Sequence, residues 1–169
     1  MRNKLLISII LVLVLILIQS TVLHYISPDM ILPDLSMIVV LLYASRKGVM
    51  EGQVLGFISG LAEDFLTVSP PGFNALIKTI LGFMAGILKN KLIFDPVLFP
   101  VLFIFLATLL KYVLAYVTAY VFLDSDSFSS LFNNRQLLEI LLNSLLAPLV
   151  YFLLKHSKLI PTDIWSSQK

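Results

Sequence analysis

The chain has 169 residues, of which 59% are hydrophobic and 13% are charged, whereas soluble domains average about 25% charged residues. Its mean hydropathy of +0.97 and its recurring uncharged runs exclude a soluble globular protein and indicate that lipid surrounds most of its surface. The net charge of +2 is too small for nucleic-acid binding, and the absence of cysteine excludes disulfides, thiolate zinc sites and iron–sulfur clusters.

Uncharged runs predict a single six-helix membrane domain over residues 1–169, because about 20 helical residues cross a hydrocarbon core of about 30 Å. The predicted spans are residues 5–23, 31–45, 49–66, 73–88, 97–123 and 137–154. The first run follows basic residues but precedes no small-residue cleavage site, so we expect a retained anchor and not a signal peptide. The second run is short and begins at Pro33 and Asp34, which puts proline near the first helical turn.

Glycines recur at every fourth position of the third run and continue into an acidic residue: Gly52, Gly56, Gly60 and Asp64. The fourth run follows the turn at Gly72 and repeats this spacing with Asn74, Lys78, Gly82 and Gly86. Small residues spaced four apart let two helix backbones approach closely in a membrane. We therefore expect the two stripes to pack together and to bring Asp64 toward Asn74 and Lys78.

Lys78 lies inside the fourth run, where an unpaired lysine costs about 2.5–3.5 kcal/mol on insertion scales. It can pair with Asp64 or Glu63, or it can extend to the membrane surface. A polar cluster that binds a ligand and a cluster that only stabilises helix packing both fit this pattern. The packing role is the simpler interpretation.

Lys111 lies near the centre of the fifth run, on a stripe of small residues formed with Ala107, Ala115 and Ala119. We expect it to face a neighbouring helix, and Asn143 of the sixth run is a candidate partner. A structural or partner-facing role and a place in a substrate or proton path are both open. A proton relay needs a chain of acids or histidines at depth, and the sequence shows none.

Basic residues predict the orientation of the chain, since cytoplasmic loops of membrane proteins are enriched in lysine and arginine. With a cytoplasmic N-terminus, nine of the twelve basic residues fall on the inner side: Arg2, Lys4, Arg46, Lys47, Lys89, Lys91, Lys155, Lys158 and Lys169. Only Arg135 falls on the outer side. Both termini are therefore predicted to be cytoplasmic.

No residue pattern predicts catalysis. The serines in the predicted spans have no evident general base, and no histidine or acidic spacing supplies a set of metal ligands. We expect no enzyme activity, no catalytic residue, no metal and no cofactor.

The order of several motifs resembles the rod shape-determining MreD family of bacteria. The motifs are Gln19-Ser20-Thr21, Pro33-Asp34-Leu35, Arg46-Lys47-Gly48, Gly56-x-x-x-Gly60-x-x-x-Asp64, Pro71-Gly72 and Gly82-x-x-x-Gly86. The resemblance is specific between residues 19 and 86, and the remaining chain contributes only matching hydropathy and length. It implies that residues 52–64 form the signature helix of the family, followed by Gly72, Gly82 and Gly86.

The resemblance also implies a function and partners. Members of this family are non-enzymatic inner-membrane subunits of the cell-elongation complex and act with the bitopic protein MreC. MreB filaments, the glycosyltransferase RodA and its partner transpeptidase belong to the same complex. The implied fold is similar to that of the substrate-binding subunits of energy-coupling-factor vitamin transporters. Such a transporter subunit is the alternative function, although no alanine occurs before Ala44 to form the expected Ala-x-x-x-Ala motif on the first helix.

Overall fold

The computed structural model of the chain describes residues 2–26, 32–67, 69–89, 97–122 and 134–157. These residues form six helices and no strand: α1 (Arg2–Ile26), α2 (Leu35–Lys47), α3 (Val49–Leu66), α4 (Phe73–Ile87), α5 (Leu98–Phe122) and α6 (Asn134–His156). The prediction of an all-α fold with six helices is confirmed. Each helix begins and ends within four residues of its hydrophobic run.

Helix α2 begins later than its hydrophobic run because Asp34 caps it. The Asp34 carboxylate accepts a hydrogen bond from the backbone N–H of Met37 at 2.9 Å, as an N-cap side chain does. Pro33 therefore directly precedes the cap, near the first helical turn as predicted but outside it. The helix ends at Gly48, whose φ of +113° lies in the region that favours glycine.

Helix α2 is the centre of the bundle. Every residue from Ser36 to Ser45 is buried, and α2 contacts each of the other five helices. An apolar helix lies either in a protein core or across a membrane, and the burial of α2 on every side places it in the core of the bundle. Its 13 residues span about 20 Å at 1.5 Å per residue, so it is shorter than the helices around it.

Successive helices run up and down, and the bundle therefore has two ends. The Asp34 end holds the starts of α2, α4 and α6 and the C-terminal parts of α3 and α5, as the contacts of Asp34 with Lys78 and Lys111 indicate. The Arg46 end holds the opposite ends of these helices, where Lys89 of α4 contacts the carbonyl of Lys47. In α1, Gln19 donates to the carbonyl of Pro33, so α1 begins at the Arg46 end.

Two helices among the described residues are long and apolar enough to cross a membrane, Leu98–Val121 and Arg135–His156. Leu5–Thr21 and Phe73–Ile87 are shorter apolar segments. Large apolar side chains on α1, α5 and α6 are exposed, among them Ile10, Leu106 and Leu145. These faces match a lipid environment in composition.

Candidate functional site

The third and fourth helices meet along their glycines. A Cβ built on Gly56 would lie closer than 3.0 Å to the carbonyl oxygen of Lys78, and one on Gly60 would lie as close to the backbone of Asn74 and Ala75. Real Cβ atoms do not approach backbone atoms so closely. Glycine at these positions is therefore what lets the backbones of α3 and α4 touch.

The contact is reciprocal at the Arg46 end of the same helix pair. A Cβ on Gly82 would collide with the carbonyl oxygen of Gly52, and a Cβ on Gly52 would lie 2.5 Å from the carbonyl oxygen of Gly82 and 2.6 Å from the Cβ of Ala44. A Cβ on Gly86 would lie 2.5 Å from the Cα of Val49. The structure thus brings the two glycine stripes together along the length of α4, and it seats α2 against them.

Asp64 joins the two helices at the Asp34 end. Its carboxylate accepts backbone hydrogen bonds from Gly72 at 2.9 Å, Asn74 at 2.9 Å and Ala75 at 3.2 Å. The side chains of Asn74 and Ser69 donate to it as well, at 2.9 Å and 3.2 Å. An acid at a helix N-terminus satisfies free N–H groups and opposes the positive end of the helix dipole. Asp64 of α3 therefore caps α4.

The turn before α4 needs glycine for a second reason. Gly72 is the N-cap residue and has a φ of +93°, a left-handed conformation that side chains disfavour. Nothing lies within 4 Å of the position of a Cβ there. Backbone conformation, and not lack of space, is thus the constraint at Gly72.

Lys78 is buried to 1% exposure and lies among groups from α2 and α3. Its ammonium group donates to Asp34 at 2.9 Å and also to Ser36 and to Glu63. The Ser36 hydroxyl in turn donates to Asp34. Burial of a lysine requires such compensation by opposite charge and hydrogen bonds, and α2 and α3 supply both.

Asp34 connects this group to the last two helices. Its second oxygen accepts a hydrogen bond from Lys111 at 2.8 Å, and Lys111 also donates to Glu139 at 2.9 Å. Tyr112 donates to the other oxygen of Glu139. One carboxylate at the start of α2 thus links α4 on one side to α5 and α6 on the other.

Asn143 completes these connections by binding the backbone. Its side-chain oxygen accepts a hydrogen bond from the N–H of Asp34 at 2.8 Å. Its amide nitrogen lies 3.4 Å from the hydroxyl of Thr108, at the long end of hydrogen-bond distances. Asn143 therefore fixes the position of Asp34 from α6.

The charge cluster comprises Asp34, Glu63, Lys78, Lys111 and Glu139. Two lysines and three acids give a formal net charge of −1 (2 − 3). The positive N-terminal end of α2, at which Asp34 lies, offsets part of this excess. The side chains of Glu63, Lys111 and Glu139 are 17–19% exposed and that of Asp34 is 10% exposed, so the cluster is not completely sealed.

The structure changes two expectations and decides between two predicted partners of Lys78. Asp64 contacts Asn74 but not Lys78, because its oxygens are occupied by the donors at the start of α4. Lys78 pairs instead with Glu63, the other predicted candidate, and with Asp34. Asn143, the candidate partner of Lys111, does not pair with it: Lys111 binds two carboxylates, and Asn143 binds the backbone of Asp34.

The sequence shows no chain of acids or histidines, but the folded bundle brings three acids together. Asp34, Glu63 and Glu139 meet around two lysines inside the bundle. Spacing along the chain did not reveal them because each acid comes from a different helix. One available signal was Asp34 itself: an acid at the start of a helix is a candidate N-cap, and a carboxylate next to an apolar membrane run needs a cationic partner.

The charged side chains of the cluster bind one another, so few of them are available for catalysis or for binding a ligand. Every charged group of the cluster already has an opposite partner within 3 Å. Among the described residues, no three acidic or histidine side chains are grouped as metal ligands would be. The site is suited to holding five helices in one relative position.

Comparison with known proteins identified one family. A family model described as rod shape-determining protein MreD matches residues 1–157 of the chain. No curated protein and no solved structure matched it. The family description assigns its members a role in determining rod shape, and its proteins are associated with the membrane.

Proposed function

Since the chain belongs to the MreD family of rod shape-determining proteins, we propose that it is a non-enzymatic integral membrane subunit of the cell-elongation complex. In this role it docks MreC and links MreB filaments to peptidoglycan synthesis by RodA and its partner transpeptidase. The family match over residues 1–157 is the observation that carries the proposal.

The proposed topology has six helices crossing the cytoplasmic membrane, with both termini inside. The up-and-down course of the described helices supports it, as does the basic character of the Arg46 end, where Arg46, Lys47 and Lys89 lie. The positive-inside rule assigns this end to the cytoplasm. α2 is too short to span by itself, and we propose that its neighbours bridge the remaining thickness.

The proposed mode of action is a rigid helical dock. The glycine contacts of α3 with α4 and the charge cluster fix the interior, so the outer faces keep a constant shape. A single transmembrane helix of the partner packs on an exposed apolar face, for which van der Waals contact is the main attraction in lipid. The geometry supports this because the polar groups that could recognise a small ligand are already paired with one another.

Affinity purification of the tagged chain from native membranes in mild detergent tests the proposal, with the co-purifying proteins identified by mass spectrometry. An unrelated six-helix protein with the same tag is the control. Recovery of MreC and the wall-synthesis enzymes with the chain alone is the expected result. Recovery of a paired ATPase and its membrane coupling subunit instead would overturn the proposal in favour of a vitamin transporter subunit.

The topology has its own test, which the absence of native cysteine makes simple. Pro71→Cys lies in the turn at the Asp34 end and Ser157→Cys follows α6 at the Arg46 end. A membrane-impermeant maleimide should label the first variant in cells with a permeabilised outer membrane, and the second only after lysis. The reverse pattern would overturn the orientation.

A further inference from the structure

A groove of about 160 Å³ lies between α4 and α5 and is open to the surface of the bundle. Its lining consists of apolar side chains only. Leu41, Ala85 and Ala107 are buried at its base, and Met84 and Leu106 are exposed at its rim. An apolar cavity of about 150 Å³ stays free of water and accepts a small apolar molecule. The groove is therefore suited to hydrocarbon.

The groove follows the direction of the two helices. Its lining extends from Leu81 to Leu88 on α4 and from Phe103 to Leu110 on α5. Each stretch covers about 10 Å at 1.5 Å per residue. Because α4 and α5 run in opposite directions, Leu88 and Phe103 lie toward the Arg46 end of the groove. The acyl chains of a bilayer run in the same direction as these helices, so one chain can lie along the groove.

The width of the groove favours a lipid over a protein as its occupant. α4 and α5 contact each other, whereas a helix with its side chains is about 10–12 Å wide. A helix of a partner or of a second copy can therefore place no more than single side chains between them. A hydrocarbon chain is thin enough to enter along its length.

A basic residue stands at the Arg46 end of the groove. Lys89 directly follows the lining residue Leu88, and it is exposed. Its ammonium group donates to the carbonyl of Lys47 at 2.6 Å, which holds the group at this end without neutralising its charge. No carboxylate in the described part of the chain forms an ion pair with Lys89. Arg46 adds a further positive charge to the same end.

We propose that the chain binds one anionic phospholipid at this place, with an acyl chain in the α4–α5 groove and the phosphate accepting a hydrogen bond from Lys89. Basic sites between transmembrane helices on the cytoplasmic side bind anionic headgroups in this way, and the proposed topology puts the Arg46 end on that side. The site is separate from the charge cluster and does not depend on which protein the chain docks. A lipid that binds only the folded chain also stabilises it.

Native mass spectrometry of the full chain tests the proposal. The chain is released from nanodiscs that contain equal amounts of phosphatidylglycerol and phosphatidylcholine with identical acyl chains, so that only the headgroups differ. It should retain one phosphatidylglycerol molecule in preference to phosphatidylcholine. Lys89→Gln should reduce this preference about fivefold, the usual contribution of one basic residue near an anionic lipid surface. Lys155→Gln, which changes an exposed lysine of α6 at the same end, is the matched control.

A second pair of variants tests the groove itself. Met84→Trp puts a larger side chain at the rim, where it fills the groove, and should abolish the retention of both lipids. Phe57→Trp on the exposed face of α3 is its control and should retain lipid as the unchanged chain does. Thermal stability in lipid-free detergent verifies that both variants are folded.

Three results would overturn the proposal or one of its parts. Equal retention of the two lipids by the unchanged chain, or no retained lipid, would overturn the site. Equal preferences in Lys89→Gln and Lys155→Gln would overturn the role of Lys89. Full lipid retention by Met84→Trp would overturn the role of the groove, and if that variant also loses co-purifying MreC, a side chain of the partner fills the groove instead.

Discussion

The ammonium group of Lys111 lies 2.8 Å from a carboxylate oxygen of Asp34, although 77 positions separate the two residues in the chain. Lys78 occupies the other oxygen of the same carboxylate. Each lysine therefore depends on Asp34, and Asp34 depends on both. A substitution of Asp34, Lys78 or Lys111 therefore alters contacts in two separate parts of the bundle.

Lys111→Met should destabilise the protein by about 3 kcal/mol, because removal of one partner leaves a buried charge uncompensated. Glu139 and one oxygen of Asp34 lose their lysine in this variant. The free energy of unfolding can be measured by titration with SDS in mixed micelles. Lys155→Met on the exposed surface of α6 is the matched control and should change stability little. Equal stabilities of the two variants would contradict the prediction.

Asp64→Leu should be more harmful than Asp64→Asn. Leucine leaves all five donors around position 64 without an acceptor, whereas asparagine keeps one acceptor oxygen. We expect losses of about 5 kcal/mol for leucine and about 2 kcal/mol for asparagine, since a hydrogen bond to a charged group contributes about 1.5–3 kcal/mol.

The same SDS titration measures both Asp64 variants. Ser69→Ala removes one donor and serves as the reference for a single lost hydrogen bond, with an expected loss of about 1 kcal/mol. If Asn and Leu at position 64 destabilise equally, the negative charge and not hydrogen bonding is what α4 requires.

Gly56→Leu or Gly60→Leu should force α3 and α4 apart and abolish assembly of the complex. A side chain at either position meets backbone atoms that cannot move aside, and overpacking of this kind costs about 3 kcal/mol or more. Co-purification of MreC and cell shape are the measurements. Phe57→Leu, on the exposed face of the same helix, is the control. Normal shape and normal co-purification with either glycine variant would refute the role of the stripe.

Asn143→Leu should destabilise by about 1–3 kcal/mol, because the buried N–H of Asp34 loses its acceptor. Asn143→Asp keeps an acceptor but adds a negative charge beside a cluster that already has an excess of one. Thermal stability in detergent should therefore fall for both variants. A fully stable leucine variant would show that water or a rearranged side chain replaces the amide.

The helices and the glycine contacts were predictable because both depend on local periodicity. Hydropathy located six helices, and the spacing of Gly52, Gly56 and Gly60 identified the face of α3 that meets α4. The same spacing in α4 identified the opposing face. Such patterns repeat within one helix, so one sequence suffices to read them.

The charge cluster was not predictable to the same extent, because it depends on how deep each helix begins. Asp34 stands at the start of a short hydrophobic run, and nothing in the sequence shows that its carboxylate is only 10% exposed inside the bundle. Glu139 lies in the first part of α6, and the sequence likewise does not show that it meets Lys111. The loops between helices do not fix how far each helix is displaced along the bundle axis. The register of α5 against α6 depends on tertiary packing.

The central position of α2 has a consequence for how the protein is made. Ser36 precedes its partner Glu63 by 27 positions, and Asp34 precedes Lys78 by 44 positions and Lys111 by 77. Both residues therefore emerge from the ribosome before their partners. A nascent chain that ends after α4 therefore carries a carboxylate with half of its lysine partners. Burial of a carboxylate in a membrane is costly without cationic partners, and this compensation is complete only after α5 has been made.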